Sequence, residues 1–261
     1  MSSTEVLVRD EAAVRWVTLN RPETKNALTV PVNAAVREAV EAAPAAGARV
    51  VALTGAGGAF CSGLDLKWAA AEGLETSTVE ARMRTHFHGL VRALRSCPVP
   101  TVAVVDGVAA GFGCDLALAC DLRLCSDRAR FGEIFVKRGL MPDGGGTWTL
   151  PRLVGLGRAL EMCFTGDMVE AAEAKAIGLA NRVFPAAQLE AAAGDFLHSL
   201  AAGPPLVHRA VKKAVYAALE GTFDEALEGE VRGQLKLLSS SDFMEGVAAF
   251  LEKRPPRFTG E

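Results

Sequence analysis

The sequence predicts an α/β core followed by a helical C-terminal region, because strand and helix signals alternate up to Phe184 and only helix signals follow. Short β-branched and apolar runs that end at turn residues predict buried strands. These runs are Val14–Leu19, Arg49–Thr54, Thr101–Val105 and Leu122–Cys125. Longer segments with apolar residues at helical spacing lie between them, at Val32–Ala45 and Val79–Ser96. This alternation favours an α/β fold over a sandwich or a helix bundle.

Four helices are expected in the C-terminal part. They are Ala187–Ala202, Leu206–Leu219, Phe223–Leu238 and Phe243–Lys253. Thr222 with Glu225, and Asp242 with Glu245, have the spacing of capping boxes at the last two helix starts. The segment 203–205, Gly-Pro-Pro, marks a boundary between a core of residues 1–202 and a helical region of residues 203–261. Because that region is too small to be an independent enzyme, we expect it to pack on the core or on a neighbouring subunit.

Composition predicts a cytoplasmic protein of one large domain, or of one domain with an appendage. The 261 residues are half hydrophobic and carry a net charge of −3, which gives no reason to expect nucleic acid or an anionic membrane as a partner. No apolar run reaches the length of a membrane span, and the N-terminus shows no secretory h-region. The six cysteines form no CxxC pair and lie among apolar residues, which predicts reduced, buried thiols and no metal site.

Two glycine-rich segments, 54–67 and 106–115, each follow a strand and open a helix. The start of a helix has free main-chain N–H groups and a partial positive charge, so it favours an anion. Two such starts facing each other would form a two-donor oxyanion hole. The alternative is that both segments are tight turns only. The first segment lacks the spacing of a phosphate-binding loop, so it does not predict a nucleotide site.

A third segment, Met141–Trp148, presents a single carboxylate on a glycine-rich turn. Pro142 fixes the backbone before Asp143, and the three glycines after it allow another chain or a ligand to come close. Two interpretations are open from these residues alone. Asp143 is either the cap of a helix that begins near Thr147 or a catalytic carboxylate.

Several motifs, in this order along the chain, resemble the crotonase (enoyl-CoA hydratase/isomerase) family, and the likeness spans residues 14 to 258. They are Leu19–Pro22 with Asn26–Leu28, Phe60–Leu66, Gly107–Asp121, Phe131–Gly132 with Gly139, Pro142–Thr147, Thr165–Asp167 with Ala171–Ala174, Gly178–Ala180, and Phe243–Arg254. The resemblance implies the crotonase (ClpP-like) fold, a spiral of ββα turns with a helical C-terminal trimerisation region. It also implies an acyl-CoA thioester as ligand and a homotrimer or dimer of trimers as the assembly. No cofactor is expected, since the substrate itself carries coenzyme A.

By position in the family's motifs, the main-chain N–H groups of Leu64 and Phe112 would hold the thioester oxygen. Both residues follow a glycine at a predicted helix start, which agrees with the oxyanion-hole interpretation. The same resemblance places coenzyme A along Ser62, Gly63, Asp65, Leu66 and Lys67, with Lys67 and Lys25 as candidates for its phosphates. Either lysine could equally be a solvated surface charge.

The chain departs from the hydratase pattern of two catalytic glutamates. The first position is Asp115, one methylene shorter, and the second falls on Phe135, which cannot move a proton. Glu133 lies two residues away and could take this position only with a register slip, which Phe131–Gly132 and Gly139 on either side argue against. The chain therefore lacks one carboxylate of the pair that suits hydration.

Asp143 stands where typical hydratases have glycine, and the Pro-Asp-x-Gly-Gly-Thr-Trp form is similar to ring-1,2-epoxyphenylacetyl-CoA isomerase and related enoyl-CoA isomerases. Isomerisation is a 1,3 proton transfer, for which one carboxylate suffices. The sequence therefore predicts an enoyl-CoA isomerase that uses Asp143, with burial raising the pKa of its carboxyl. Asp115 is either a second acid or base or a structural carboxylate.

The alternatives are an enoyl-CoA hydratase that uses Asp115 and a non-catalytic acyl-CoA-binding or assembly protein. An Asp–His pair is typical of the hydrolytic dehalogenase branch, but the spacing of His86 and His88 does not match it cleanly. Both histidines are expected at the surface or in the pocket wall.

Overall fold

The strands form two sheets in the computed structural model, which describes residues 4–73 and 75–261. The strands in chain order are β1 Val6–Glu11, β2 Val14–Leu19, β3 Val50–Gly55, β4 Thr101–Val105, β5 Val108–Ala110, β6 Leu122–Ser126, β7 Arg130–Gly132, β8 Val169–Glu170 and β9 Arg182–Phe184. All four predicted strands are present: β2 and β4 have the predicted bounds, and β3 and β6 differ by one residue at their ends.

The larger sheet has the strand order β1-β2-β3-β4-β6-β9 within the described residues. Its first pair is antiparallel and every other pair is parallel. The smaller sheet has the order β5-β7-β8, with β5 parallel and β8 antiparallel to β7. Because parallel strands need crossover connections, the segments that leave β3 and β4 pass over the sheet, and they carry the two glycine-rich turns.

The helices are α1 Val30–Ala42, α2 Leu66–Ala71, α3 Thr76–Arg82, α4 His88–Ser96, α5 Phe112–Ala119, α6 Gly146–Val154, α7 Leu156–Thr165, α8 Ala171–Ala176, α9 Leu189–Ala201, α10 Pro205–Ala218, α11 Phe223–Leu238 and α12 Ser241–Glu252. A π-helical turn, Met83–Phe87, joins α3 to α4, so the predicted helix Val79–Ser96 is continuous but locally widened.

Apolar residues are buried on both faces of the larger sheet. Alternate residues of β3 illustrate this: Val51 and Leu53 belong to the main core against α1 and α4, whereas Val50 and Ala52 pack in a second cluster with α9. Strands covered on both faces have continuous apolar sequences, which is why β3 and β4 were recognisable from the sequence.

The two predicted capping boxes have different outcomes. Thr222 and Glu225 form a complete capping box at the start of α11. The second prediction is wrong, because Ser240 caps α12 and accepts from the Phe243 N–H at 3.1 Å. Asp242 instead accepts the main-chain N–H groups of Thr259 and Gly260 and so holds the C-terminal segment against the helix.

The six cysteines are free, as the sequence predicts; five are buried and Cys163 is half-buried. Among the described helices, none combines the length and apolarity that a membrane crossing requires.

Candidate active site

The two glycine-rich turns lie against each other. Cys61 forms a parallel bridge with Ala109, and the Ala110 N–H donates to the Cys61 carbonyl at 3.0 Å. A Cβ on Gly113 would clash with that same carbonyl, so only glycine allows the first turn of α5 to approach so closely. The start of α5 is therefore held beside the segment that leads to α2.

The structure brings together the two main-chain groups predicted to form the oxyanion hole. Gly63 has a φ of +93°, and a Cβ placed on it would lie 3.3 Å from the Phe112 nitrogen. Phe112 is the first residue of α5, so its N–H has no acceptor inside the helix. Neither the Leu64 N–H nor the Phe112 N–H donates to a protein acceptor within residues 4–73 and 75–261. The arrangement can accept one oxyanion from two donors.

Asp143 lies on the turn before α6 and does not cap that helix. The cap residue is Gly145, with φ +95° and no side-chain cap, so the capping interpretation is wrong. The Asp143 side chain is half-buried, and its Oδ1 has no hydrogen-bond partner among the described residues. Burial raises the pKa of this carboxyl, and the electrostatic effect of the neighbouring His88 side chain partly opposes the shift.

Asp115 lies on the first turn of α5 and is almost fully buried, with 1% of its surface exposed. Its Oδ2 accepts the Gly144 N–H at 2.8 Å, so it fixes the residue that follows Asp143. Burial raises the pKa of Asp115 to about 7, against the Gly144 hydrogen bond and with the help of the Asp143 charge. The two carboxylates predicted from the sequence are thus neighbours that interact through one turn.

Glu133 also belongs to this cluster, which contradicts the expectation from the sequence. It directly follows β7 and has no exposed surface. Within the described part of the chain no N–H or O–H group donates to its carboxyl oxygens, and the Cys114 thiol beside it is a hydrogen-bond partner. A Cβ on Gly146 would clash with Asp115 Oδ1 and would lie 3.3 Å from Glu133 Oε1, so the two acids flank one point. Period-two alternation after the buried Phe131 was the sequence signal that indicates an inward Glu133.

Aromatic rings cover the cluster. Phe135 is buried, and its ring edge lies 3.9 Å from the point where a Cβ on Gly111 would stand, at the start of α5. Phe87 and Phe112 pack edge to face, with centroids 4.9 Å apart and planes at 81°. The Phe112 ring lies beside Asp115, since a Cβ on Gly144 would clash with both, and burial in these surroundings is the physical cause of the raised pKa values.

His88 contacts the Asp143 turn. Among the described residues, His86 makes no contact with the three acids. The His88 Nε2 lies 2.9 Å from the Asp143 main-chain oxygen. Since the acceptor is a carbonyl, the ring nitrogen donates and fixes the backbone of Asp143. His88 is therefore part of the pocket wall, as expected, but it is closer to Asp143 than its sequence spacing suggested.

The predicted coenzyme A segment runs along the surface beside the oxyanion donors. The Ser62 Oγ donates to the Thr24 carbonyl at 2.9 Å, and the Ser62 N–H donates to the Lys25 carbonyl at 3.0 Å. Lys25, Leu66 and Lys67 are exposed, so a ligand can reach them. These residues lie along one edge of the cluster.

Asp65 has a structural role in this segment. Its Oδ1 accepts the Trp68 N–H at 3.1 Å and so caps α2, and its Oδ2 accepts from Arg21 at 3.0 Å. The Trp68 hydrogen bond and then the Arg21 side chain lower the pKa of Asp65. Its carboxylate orients the predicted coenzyme A segment through these two bonds.

An open apolar cavity of about 920 Å³ lies between α4, α6 and α10. It begins at Val91 and Gly145, behind the Asp143 turn, and extends to Trp148, Val215 and Leu219. Beyond it, α11 exposes a further apolar row that includes Leu227, Val231 and Leu235. Exposed apolar faces of this extent on adjacent helices are typical of surfaces that bury against another chain.

Within residues 4–73 and 75–261, no three His, Cys, Asp or Glu side chains are arranged to hold a metal ion. The carboxyl cluster and the pair of free N–H groups therefore define a site suited to proton transfer at a carbon next to a carbonyl, with the oxyanion held by the main chain.

Comparison with known proteins agrees with this class of site. Residues 9–261 match the family described as Enoyl-CoA hydratase/isomerase. The chain is 47% identical to a probable enoyl-CoA hydratase of Rhodobacter capsulatus, over 94% of this chain and 93% of that protein. It is 35% identical to the 1,2-epoxyphenylacetyl-CoA isomerase of Escherichia coli, over 98% of both chains.

Solved structures show the same fold. Enoyl-CoA hydratase subunit I from Geobacillus kaustophilus superposes with a TM-score of 0.93 at 37% identity, over the full length of both chains. Enoyl-CoA hydratase from Bacillus anthracis gives a TM-score of 0.94 at 33% identity, over 98% of this chain and 100% of the other. The chain belongs to the enoyl-CoA hydratase/isomerase family and has the crotonase fold.

Proposed function

We propose that this protein is an enoyl-CoA isomerase in which Asp143 carries the transferred proton. The observation that carries the proposal is the order of burial in the carboxyl cluster. Asp143 is half-buried, whereas Asp115 and Glu133 are 1% and 0% exposed. A carboxylate must reach the carbon from which it takes a proton, so Asp143 is the member of the cluster placed to touch a substrate.

The reaction proceeds by one proton transfer in each direction. The thioester oxygen accepts hydrogen bonds from the Leu64 and Phe112 N–H groups, which stabilise the negative charge of an enolate. The Asp143 carboxylate removes a proton from the carbon next to the thioester carbonyl, and the C–H electron pair becomes part of the enolate. Asp143 then returns the same proton to the γ carbon, and the double bond moves into conjugation with the thioester.

The environment of Asp143 suits both steps. A carboxyl with an ordinary pKa is a weak acid donor at neutral pH, whereas burial brings the pKa of Asp143 nearer to the working pH. The His88 contact and the Asp115 hydrogen bond hold the carbonyl and the N–H of the single peptide group that joins Asp143 to Gly144. Phe135 stands where the resemblance places a second hydratase glutamate, so no ionisable group is available there to activate water.

Hydration is the second candidate, and the name of the Rhodobacter capsulatus relative favours it. In that case Asp115 would be the main base, with water held by other groups. Burial of Asp115 and its bond to Gly144 count against this candidate, because neither a water nor a substrate reaches its carboxylate in this arrangement. A non-catalytic acyl-CoA-binding protein is the third candidate.

Asp143→Asn and Asp115→Asn distinguish these candidates. Asp143→Asn preserves the shape of the turn and removes the proton carrier, so isomerisation of 3-enoyl-CoA should fall by at least ~10²-fold, with substrate affinity retained. Asp115→Asn should cost less, since this residue orients the turn. Turnover of 3-enoyl-CoA and 2-enoyl-CoA is compared for the wild type and both variants.

Near-full isomerase activity in Asp143→Asn, or water addition as the dominant wild-type reaction, would refute the isomerase proposal. A larger loss in Asp115→Asn than in Asp143→Asn would favour hydration. Incubation of thioesters in D₂O tests catalysis itself: label should enter the α or γ carbon, and its absence across saturated and unsaturated thioesters would leave the binding-protein candidate.

The remaining features of the proposal concern ligand and assembly. Coenzyme A is expected along Ser62, Gly63, Leu66 and Lys67, with Lys25 and Lys67 exposed toward its phosphates and Asp65 fixing the segment. The exposed apolar faces of α10 and α11 support self-association, for which the family resemblance implies a homotrimer or a dimer of trimers, and a cytoplasmic location is part of the same proposal. Self-association through these faces would cover the row that includes Val231 and Leu235.

A further inference from the structure

Glu133 is a buried acid for which the proton transfer proposed above has no use. Both of its carboxyl oxygens are inaccessible, and no N–H or O–H group of the described residues donates to them; the neighbouring Cys114 thiol is a hydrogen-bond partner of the carboxyl. It cannot touch a substrate, since two buried groups, Asp115 and the main chain at Gly146, lie beside it. An isolated buried carboxylate is strongly unfavourable, so such a group either takes a proton or finds a positive partner.

The groups around Glu133 are negative or neutral. Asp115 and the Cys114 thiol face it from α5, Asp143 from the turn before α6, and Cys163 from α7. His88, the first residue of α4, faces Asp143 and lowers the pKa of its carboxyl. Burial, and then the negative charge of Asp115, raise the pKa of Glu133 well above its usual value.

The two acids are placed to share a hydrogen. Asp115 Oδ1 is buried and without a hydrogen-bond partner among the described residues, while Asp115 Oδ2 is held by Gly144. Glu133 Oε1 and Asp115 Oδ1 flank the same point beside Gly146, a glycine whose missing side chain leaves this approach open. A single O–H donated from one carboxyl to the other would join these two buried acids by a strong hydrogen bond.

We propose that Glu133 is a positioning residue that enters the reaction protonated and donates its O–H to Asp115 Oδ1, so that the pair holds one proton and one negative charge. This inference rests on the isomerase function proposed above. The proton stays on Glu133 throughout the turnover, and no bond to substrate forms. Asp115, fixed by Glu133 on one oxygen and by Gly144 on the other, then holds the Asp143 turn.

The charge of the pair determines an alkaline limit for activity. With one proton present, the pair places one negative charge beside Asp143. When that proton is lost at higher pH, a second negative charge enters the pocket in which the enolate must form, and the transition state is destabilised. The plot of kcat/KM against pH therefore rises as Asp143 ionises and falls as the pair loses its proton.

An infrared measurement tests the protonation without any use of activity. Protein labelled with ¹³C at the glutamate side-chain carboxyl is expected to show a protonated-acid C=O band at neutral to mildly alkaline pH, where exposed glutamates are ionised. Glu133→Gln should remove the band, and Glu170→Gln should retain it, because Glu170 is exposed on β8 beside the same strand β7. Absence of the band in the folded wild type would overturn the proposal.

Kinetics then test the positioning role. Glu133→Gln keeps an N–H donor for Asp115 but has no proton to lose, so it should retain isomerisation and lose the alkaline decline. Glu133→Met removes the donor and should lower kcat by roughly 10–100-fold, with KM little changed, since a hydrogen bond to a buried charge is lost.

An unchanged alkaline limb in active Glu133→Gln would overturn the proposal, as would equal kcat losses in the Gln and Met variants. If Glu133→Gln fails to fold, the band of the labelled wild type decides the question alone. A wild-type band together with full activity in Asp143→Asn would refute the isomerase proposal and leave the shared proton standing.

Discussion

Gly146 offers a steric test of the carboxyl cluster, because its hydrogen atom faces the two buried acids. A Cβ at this position would clash with Asp115 Oδ1 and crowd Glu133 Oε1. The backbone is not the obstacle, since Gly146 is the first residue of α6 and lacks a positive φ. We therefore expect Gly146→Ala to be destabilising only through the acids that it displaces.

Gly157→Ala is the matched control. Gly157 is the second residue of α7, also lacks a positive φ, and has open space around the position of a Cβ. Replacing a helical glycine by alanine contributes about 0.5–1 kcal/mol of stability in either variant. Forcing a methyl group into a packed interior costs about 1–3 kcal/mol, so Gly146→Ala should be less stable than Gly157→Ala by about that amount.

Urea unfolding of both variants measures the difference, and thermal unfolding checks it, with ~2–4 °C per kcal/mol for chains of roughly this length. Gly146→Ala should also lower kcat, because displacement of Asp115 releases Gly144 and with it the Asp143 turn. Equal stability of the two variants would refute the geometry of the cluster. Full activity in a destabilised Gly146→Ala would refute the positioning of Asp143 through Asp115.

Two further predictions concern the C-terminal helices. The Arg254 side chain and then the Arg257 main-chain N–H lower the pKa of Glu245 to about 2, from about 4.3 in an unfolded chain. This stabilisation is present above about pH 4.3 and is lost as the pH falls toward 2. The Tm difference between wild type and Glu245→Gln should therefore shrink over that pH range, and a constant Tm difference would contradict the prediction. For assembly, Val231→Glu should lower the molar mass in light scattering, while exposed Glu230→Gln should not; an unchanged mass in Val231→Glu would refute association through α11.

The sequence predicted the elements that are buried on both faces or capped by local motifs. Strand β4 is apolar after Thr101, β2 is β-branched and apolar except at Arg15, and α11 has its own capping box, so neighbouring residues alone specify these elements. The strands β5, β7 and β8 have only two or three residues each, too few for a periodic pattern. These strands pair with partners that are distant in the sequence, so local patterns do not predict them.

The errors have the same origin. Asp242 and Glu245 have capping-box spacing, but tertiary contacts engage both: Asp242 binds the C-terminal segment and Glu245 binds Arg254. Local spacing cannot show that a chain end 17 residues away competes for the same carboxylate. Asp143 has the composition of a helix cap, yet the helix begins at Gly146 with Gly145 as its cap.

The buried position of Glu133 is the feature of the site that the family resemblance did not predict. The family's pattern places Phe135 at the position of the second glutamate, and the structure buries Phe135. The family's pattern makes no prediction about the location of Glu133. A strand alternation that starts at the buried Phe131 directs Glu133 inward, to the point shared with Asp115.

The burial of three acids in one pocket separates their roles. If all three were ionised, their mutual repulsion without a compensating cation would be costly, so the most enclosed member must be the one that keeps a proton. In the proposed mechanism Glu133, fully enclosed, holds that proton, and Asp115, with one oxygen on Gly144, carries the fixed charge. Asp143, which is half-buried, is the acid proposed to exchange a proton with a substrate. The degree of burial of each acid is therefore the basis on which its role is proposed. Gly144 and Gly146 permit this burial, because a side chain at either position would clash with Asp115.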